Sequence, residues 1–155
     1  MQDAILEGAG RSLEVVAFRV ADQDFCFDLA SVREIRGWTS TTMLPRAQPY
    51  VKGVINLRGS VVPVIDLSQR LGFGAADPGA RHVIIIAVVS NQTVGLLAEV
   101  VSDILTVSES DLQPIPDIVD ARVREFISGV LLQDDKMIRR LDLHTILDQA
   151  GQHAA

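Results

Sequence analysis

The sequence is poor in the residues that carry most catalytic and metal chemistry. It contains one cysteine, three histidines and 5 % aromatic residues among 155 positions. Cys26 has no partner for an internal disulfide, and its place between Phe25 and Phe27 is typical of one side chain in a strand. The histidines lie far apart without metal-ligand spacing, so we predict no metal site and no cofactor. They are His82, His144 and His153.

Motifs for nucleophilic catalysis and phosphate binding are also missing. No Gly-x-Ser-x-Gly nucleophile elbow occurs. Gly72-Phe73-Gly74 is followed by neither a third spaced glycine nor a Lys-Ser/Thr pair, a pattern typical of a flexible linker. Glu99 and Asp103 could share one face, but nothing in their spacing favours a catalytic carboxylate pair. The sequence therefore points away from an enzyme.

The charge and hydropathy of the sequence argue against binding to nucleic acid and against insertion into a membrane. The net charge of −6, from 14 basic and 20 acidic residues, argues against binding to nucleic acid or to an anionic membrane. The most apolar stretch, 83–98, is interrupted by the polar residues 90–93, so it predicts two strands and a turn rather than a membrane span. Residues 1–7 lack the basic and apolar regions of a signal peptide. We therefore expect a cytoplasmic protein without membrane insertion.

Apolar residues, 48 % of the chain, are arranged in short runs. Val16, Phe18 and Val20 alternate with other residues, and Phe25 and Phe27 share a face after a polar turn, which predicts a β-hairpin. The segment 29–37 fits either a helix or a strand. Further strands are predicted at 54–57, 61–67, 83–89, 126–132 and 136–141.

The C-terminal segment and the glycine-containing segment 72–79 complete the predicted architecture. Leu143, Ile146 and Leu147 fall on one face of a short C-terminal helix. Many short strands with one terminal helix favour an all-β fold made of small barrels. The small and flexible segment 72–79 is the best candidate for an internal boundary. We expect one domain over residues 12–149, with flexible tails at 1–11 and 150–155.

Residues 53–67 form the most informative segment. Two apolar runs flank the tetrapeptide 57–60 (Leu-Arg-Gly-Ser), where glycine permits a tight turn and leaves Arg58 at its tip. A guanidinium with five fixed donors suits the binding of a partner, although an ordinary solvated turn residue explains Arg58 equally well. A neighbouring Glu34 would orient the guanidinium.

Three apolar residues, Val32, Ile35 and Ile104, are core positions by default. Part of this set could instead form an exposed apolar groove, which would mark a protein-binding site. A small all-β metabolite-binding domain or enzyme that uses the same groove is the alternative from another class. A buried carboxylate or histidine with a strongly shifted pKa in a closed pocket would favour that alternative.

The chain resembles the CheW family of chemotaxis adaptors over residues 13–147. The order and spacing of the matching segments are specific, whereas each segment alone is weak. These segments are Glu34-Ile35-Arg36-Gly37, Leu44-Pro45, 51–59, 62–67, 94–97 and 100–105.

The resemblance implies two five-stranded, SH3-like barrels packed around a hydrophobic groove, and no enzymatic activity. It also implies an adaptor that joins the cytoplasmic tip of chemoreceptors to the regulatory domain of a CheA-type histidine kinase, at receptor arrays on the inner membrane face. A related motility or surface-behaviour pathway is an alternative within the family. The receptor-binding positions implied by the motif match are Val32, Glu34, Arg58 and Ile104; the kinase-binding positions, placed loosely, are Val94, Gly95, Leu96 and Leu97.

One feature departs from the family pattern. Arg139 and Arg140 stand where apolar strand residues are usual. Consecutive arginines in a buried strand require either an acidic partner or access to solvent. Assembly through that surface, or local stability, therefore depends on how the two arginines are accommodated.

Overall fold

The computed structural model describes residues 11–147, and these residues form two antiparallel-rich β-sheets. The predicted tails at 1–11 and 150–155 lie, apart from Arg11, outside the described residues. The strands are Ser12–Val20 (β1), Gln23–Asp28 (β2), Val32–Gly37 (β3), Val51–Leu57 (β4), Ser60–Asp66 (β5), Val83–Val89 (β6), Gln92–Ala98 (β7), Val100–Ser108 (β8), Leu112–Gln113 (β9), Ile127–Gln133 (β10) and Lys136–Leu141 (β11).

Helices are short. Leu67–Arg70 (α1) and Ala121–Arg124 (α2) each make about one turn, and residues 143–147 are helical (α3). Two 3₁₀ turns, Leu29–Ser31 and Glu109–Asp111, precede β3 and β9. The predicted all-β fold with a short C-terminal helix is thus confirmed. Among the described residues, no helix has the length and apolar character needed to cross a membrane.

The strands divide into a first sheet with the order β8-β1-β2-β11-β10-β9 and a second sheet with the order β3-β6-β7-β5-β4. The second sheet has the five strands that the resemblance implied. The first has five long strands and the two-residue β9 at its edge. The ambiguous segment 29–37 resolves into a 3₁₀ turn followed by the edge strand β3.

Three apolar clusters hold the sheets. One is shared between them and contains Phe18 and Phe25 from the first sheet, with Ile65 and Leu96 from the second. The other two clusters each belong to one sheet. The first-sheet cluster is Val15, Ala17, Cys26, Val107, Leu131 and Ile138, and the second-sheet cluster is Ile55, Leu57, Val62, Val64, Ile84, Ile86 and Leu97.

The predicted internal boundary at 72–79 is wrong. The strands on either side of this segment, β5 and β6, belong to the same sheet. The loop is anchored to that sheet by the buried carboxylate of Asp66, which accepts hydrogen bonds from the backbone N–H groups of Gln69 at 3.3 Å and Ala76 at 2.8 Å. Glycine and small residues here mark a long loop, and the chain passes between sheets elsewhere, after β2 and after β7.

The two consecutive arginines of β11 are both accommodated. Arg140 Nη2 donates to both carboxylate oxygens of Asp28, at 2.8 and 3.0 Å. Arg139 lies with its guanidinium 5.6 Å from the centre of the Phe25 ring and donates to the backbone oxygen of Asp24 at 3.3 Å. One arginine has an acidic partner and the other stacks on an aromatic ring, so β11 pairs with β2 without an unpaired buried charge.

Candidate partner-binding groove

The central feature of the site is an ion pair between Glu34 and Arg58. Glu34 lies on β3, one edge of the second sheet, whereas Arg58 lies at the β4–β5 turn near the opposite edge. An ion pair between the two edges shows that the sheet curves back on itself, as it does in a small barrel. Arg36 contributes a second cation, with its Nη1 at 3.5 Å from the Glu34 carboxylate.

The sequence around Arg58 sets its position. Arg58 and Gly59 have φ values of +51° and +89°, so the two residues form a type I′ turn that matches the twist of the strands. The side-chain oxygen of Asn56 accepts a hydrogen bond from the Gly59 N–H at 2.9 Å and fixes the turn. The Arg58 side chain consequently extends from the tip of the turn, where it contacts Glu34.

The ion pair shifts the pKa values of both of its side chains. The hydrogen bond from Arg58, and then the charges of Arg58 and Arg36, lower the pKa of Glu34. The same hydrogen bond raises the pKa of Arg58. Because the Arg58 side chain is 64 % exposed, solvent screens this pair and its net contribution to folding is small. Its effect is to hold the Arg58 guanidinium in one place at the β4–β5 turn.

Strand β3 presents apolar side chains to the shared core. A register irregularity between Val32 and Glu34 places Val32 opposite Ala87 and Ile35 opposite Ile85. Directly opposed residues of an antiparallel pair project to the same face. Ala87 and Ile85 belong to the shared cluster, so Val32 and Ile35 project toward the seam between the sheets. Val32 is half-buried, and Ile35 is 40 % exposed.

Strand β8, the edge of the first sheet, presents Ile104 to the same seam. Ile104 lies opposite Val16, which is fully buried in the shared cluster, and Ile104 itself is 50 % exposed. Edge strands of both sheets therefore carry partly exposed apolar residues on their inner faces. We call Val32, Ile35 and Ile104 the groove rim.

Ile35 joins Val32 and Ile104 on this rim, although the motif match implies only the other two as receptor-binding positions. Its partial exposure follows from the edge position of β3 and from the register shift after Val32, neither of which the residue pattern contains. The run Glu34-Ile35-Arg36-Gly37 was the available signal, since it places an apolar residue between two charged ones.

The four residues assigned to kinase binding lie elsewhere. Val94, Gly95, Leu96 and Leu97 are all buried in β7, the central strand of the second sheet. A Cβ atom at Gly95 would lie 2.7 Å from a methyl carbon of Ile84, so this glycine is needed for close packing. These four side chains support the sheet from within, and the assignment of kinase binding to this part of β7 stays a prediction.

Residues suited to metal or nucleophilic chemistry are not assembled in the described part of the chain. No group of three histidine, cysteine or acidic residues within 11–147 is arranged to hold a metal ion. Cys26 is fully buried, and desolvation raises the pKa of its thiol to about 12. A thiol with that pKa is protonated at neutral pH and is a poor nucleophile.

Comparisons with known proteins agree with the geometry. The family model for the CheW-like domain matches residues 14–151. The chain is 51 % identical to a chemotaxis protein CheW of Rhizobium meliloti, over 97 % of this chain and 96 % of that protein. It is 30 % identical to a chemotaxis protein CheW of Bacillus subtilis, over 92 % of this chain and 91 % of that protein.

A solved structure extends the comparison to the fold. The crystal structure of the scaffolding protein TtCheW from Thermoanaerobacter tengcongensis superposes with a TM-score of 0.81 at 31 % identity, covering 89 % of this chain and 94 % of that one. The family match, the identity and the shared fold cover nearly the whole chain. This chain belongs to the CheW family, whose members are chemotaxis adaptors and not enzymes.

Proposed function

We propose that this protein couples chemoreceptors to a CheA-type histidine kinase by binding both at once, at receptor arrays on the inner face of the membrane. The observation that carries the proposal is the groove between the sheets. Apolar residues on edge strands of both sheets project into one seam, and the fixed guanidinium of Arg58 lies on the strand turn that faces Glu34. Apolar anchors with an oriented cation suit the amphipathic helical tip of a receptor.

The roles of the residues follow from their placement. Ile35 and Ile104 would bury apolar side chains of the receptor helices, since both are partly exposed and both project toward the shared core. Val32 would support them from a half-buried position. Arg58 would fix the register of the receptor by donating to a carboxylate or carbonyl oxygen, and Glu34 would orient it.

The kinase partner belongs to the same proposal. A receptor and a kinase on separate surfaces would allow one adaptor to hold both. Receptor state would then reach the kinase as a change in relative geometry, limited by the difference in affinity for the two states of the array.

An alternative ligand-binding or enzymatic role has no support in the groove. The one buried charged side chain among the described residues is Asp66, and both of its oxygens accept backbone hydrogen bonds that hold the 66–76 loop. That carboxylate is used to build the structure. The groove rim itself is apolar.

The experiment combines the purified protein with a receptor cytoplasmic fragment and a CheA-type kinase, and measures co-purification and kinase autophosphorylation. We expect a ternary complex and altered autophosphorylation. Arg58→Ala should lose receptor binding and keep kinase binding, whereas Arg81→Ala, at another exposed arginine, should keep both. A folded wild-type protein that binds neither partner would contradict the proposal.

A further inference from the structure

Two neighbouring strands of the second sheet, β5 and β7, are not paired over their first residues. Strands β5 and β7 pair in parallel from Val64 and Gly95 onward, although β5 begins at Ser60 and β7 at Gln92. Pro63 immediately precedes the paired segment and has no N–H to continue the ladder. The strands therefore leave a cleft between them.

This β5–β7 cleft has a volume of about 500 Å³. It opens at the end of the sheet that carries the two hairpin turns, and β3 contributes to its wall. Its lining includes Arg33, Arg58, Val61, Pro63, Gln92 and Thr93.

Backbone groups of β5 point into the cleft. In a hairpin closed by a two-residue turn, the residues that flank the turn exchange hydrogen bonds, and the next opposed pair does not. Leu57 and Ser60 flank the β4–β5 turn, so Asn56 and Val61 form the next, non-bonded pair. The N–H and C=O of Val61 are consequently directed away from β4, toward the cleft.

The same alternation applies to β7. Ser90 and Asn91 form a two-residue turn with φ values of +51° and +65°, and Val89 and Gln92 flank it. Thr93 belongs to the following non-bonded pair, so its N–H and C=O are directed away from β6. By the same alternation, the N–H and C=O of Gly95 point toward β5, and Gly95 is indeed paired with Val64 of β5. Two open backbone edges therefore face each other across the cleft.

The side chains around these edges are apolar or basic. Val61 is 72 % exposed and supplies an apolar side chain beside the open backbone groups. Arg33 is exposed, and its side chain makes no hydrogen bond or ion pair with any residue from 11 to 147. Arg58 also lines the cleft, with its guanidinium paired to Glu34, so Arg33 is the available cation; none of the described residues that line the cleft is acidic. The whole chain carries a net charge of −6, so the positive charge of this cleft differs from the overall acidic character of the protein.

We infer that the β5–β7 cleft binds an extended, acidic segment of a partner protein by β-strand pairing with Val61. The open N–H and C=O supply main-chain hydrogen bonds, Val61 supplies an apolar contact, and Arg33 supplies charge complementarity. This site is distinct from the groove rim, because it lies at the hairpin end of one sheet and needs no contribution from the first sheet. The cleft shares Arg58 with the proposed receptor contact, whereas the pairing at Val61 and the charge of Arg33 do not depend on the receptor and kinase partners proposed above.

The test uses the acetylated and amidated peptide Glu-Val-Glu-Val-Glu and its lysine analogue, Lys-Val-Lys-Val-Lys, in titrations of the ¹⁵N-labelled protein followed by amide NMR. We expect the acidic peptide to shift the amide signals of Val61 and Thr93, and the lysine peptide to leave them unchanged. Arg33→Glu should weaken binding by about fivefold or more, as expected for loss and reversal of a charge contact, and Arg81→Glu should not. Shifts located elsewhere, or equal binding of both peptides, would overturn the inference.

A second pair of variants tests the backbone pairing itself. Val61→Pro removes the N–H that faces the cleft and leaves the β4 ladder intact, whereas Val61→Ala keeps that N–H and shortens the side chain. We expect Val61→Pro to abolish binding and Val61→Ala to retain part of it. If Val61→Pro fails to fold, N-methylation of the peptide valines removes the matching donors from the ligand. Unchanged binding after either change would show that strand pairing is not the mode of recognition.

Discussion

Glu34 and Arg58 are 24 positions apart in the chain and form an ion pair that joins β3 to the turn at the other side of the second sheet. Glu34 lies opposite Ile86, on the face of β3 away from the seam, and it orients the guanidinium that the proposed receptor contact uses. Glu34 lies on an edge strand and Arg58 on a two-residue turn. Because the ion pair already holds both side chains, the conformational entropy lost when a partner binds is small.

The ion pair predicts a change in titration. The pKa of Glu34 should be below its ordinary value in the wild-type protein, because Arg58 donates a hydrogen bond to it, and should rise in Arg58→Ala. Carboxyl ¹³C NMR measures both values. Because the folded-state pKa is lowered, any contribution of the pair to folding is present above the unfolded-state pKa and declines as the pH falls through the folded-state value. An unchanged Glu34 pKa in Arg58→Ala would contradict the pairing.

The ion pair between Arg140 and Asp28 should contribute more to folding than an exposed pair. Its two side chains are 25 % and 36 % exposed, and three hydrogen bonds connect them. A double-mutant cycle with Arg140→Met and Asp28→Asn should give a coupling free energy of about 1 kcal/mol in urea unfolding. The same cycle on the exposed Arg122–Asp120 pair is the control and should give no measurable coupling. Equal results for both pairs would refute the distinction.

Gly95 should tolerate no side chain. An added Cβ would lie 2.7 Å from Ile84 Cγ2 and 3.4 Å from Val64 Cγ2, within a central strand. Gly95→Ala should therefore reduce the free energy of unfolding by about 1–3 kcal/mol, the usual cost of overpacking a core. Gly79→Ala is the matched control, because nothing lies within 4 Å of its added Cβ, and it should be neutral or slightly stabilising. A neutral Gly95→Ala would show that β7 can shift within its sheet.

Cys26 should be unreactive until the protein unfolds. Desolvation raises the pKa of its thiol from 9.0 to about 12, so the native state keeps a proton that the unfolded state releases. Stability should consequently decline as the pH rises from about 9 toward 12, and Cys26→Ala should lack this component. Labelling with a thiol reagent at pH 8, with and without denaturant, checks the accessibility. Rapid labelling of the native protein would contradict the burial of Cys26.

Elements that carry a local signal could be predicted from the sequence. Alternation at Val16, Phe18 and Val20 predicted β1, and the glycine of the 57–60 turn predicted the β4–β5 hairpin and the exposure of Arg58. The turns at 90–91 and 134–135 also have positive φ values at both positions, without any glycine. Polar residues alone signal these turns, and the strands predicted beside them at 83–89 and 136–141 have the bounds that the structure shows.

Relationships that depend on topology could not be predicted. The buried state of residues 94–97 results from flanking strands on both sides of β7, and no local pattern contains that information. The exposure of Ile35 depends on β3 being an edge strand, and its direction depends on a register shift after Val32. The segment 72–79 has the composition of a boundary, although Asp66 ties it to the sheet that it was expected to leave.

The most direct test of the groove compares two charge insertions at exposed isoleucines. Ile104 lies on the groove rim, whereas Ile118 is 87 % exposed in the loop before α2. Binding of a receptor cytoplasmic fragment is measured by titration calorimetry after circular dichroism shows that both variants are folded. We expect Ile104→Asp to weaken binding by about tenfold or more, because it replaces an apolar anchor, and Ile118→Asp to bind like the wild type. Wild-type affinity in a folded Ile104→Asp protein would contradict the assignment of the groove.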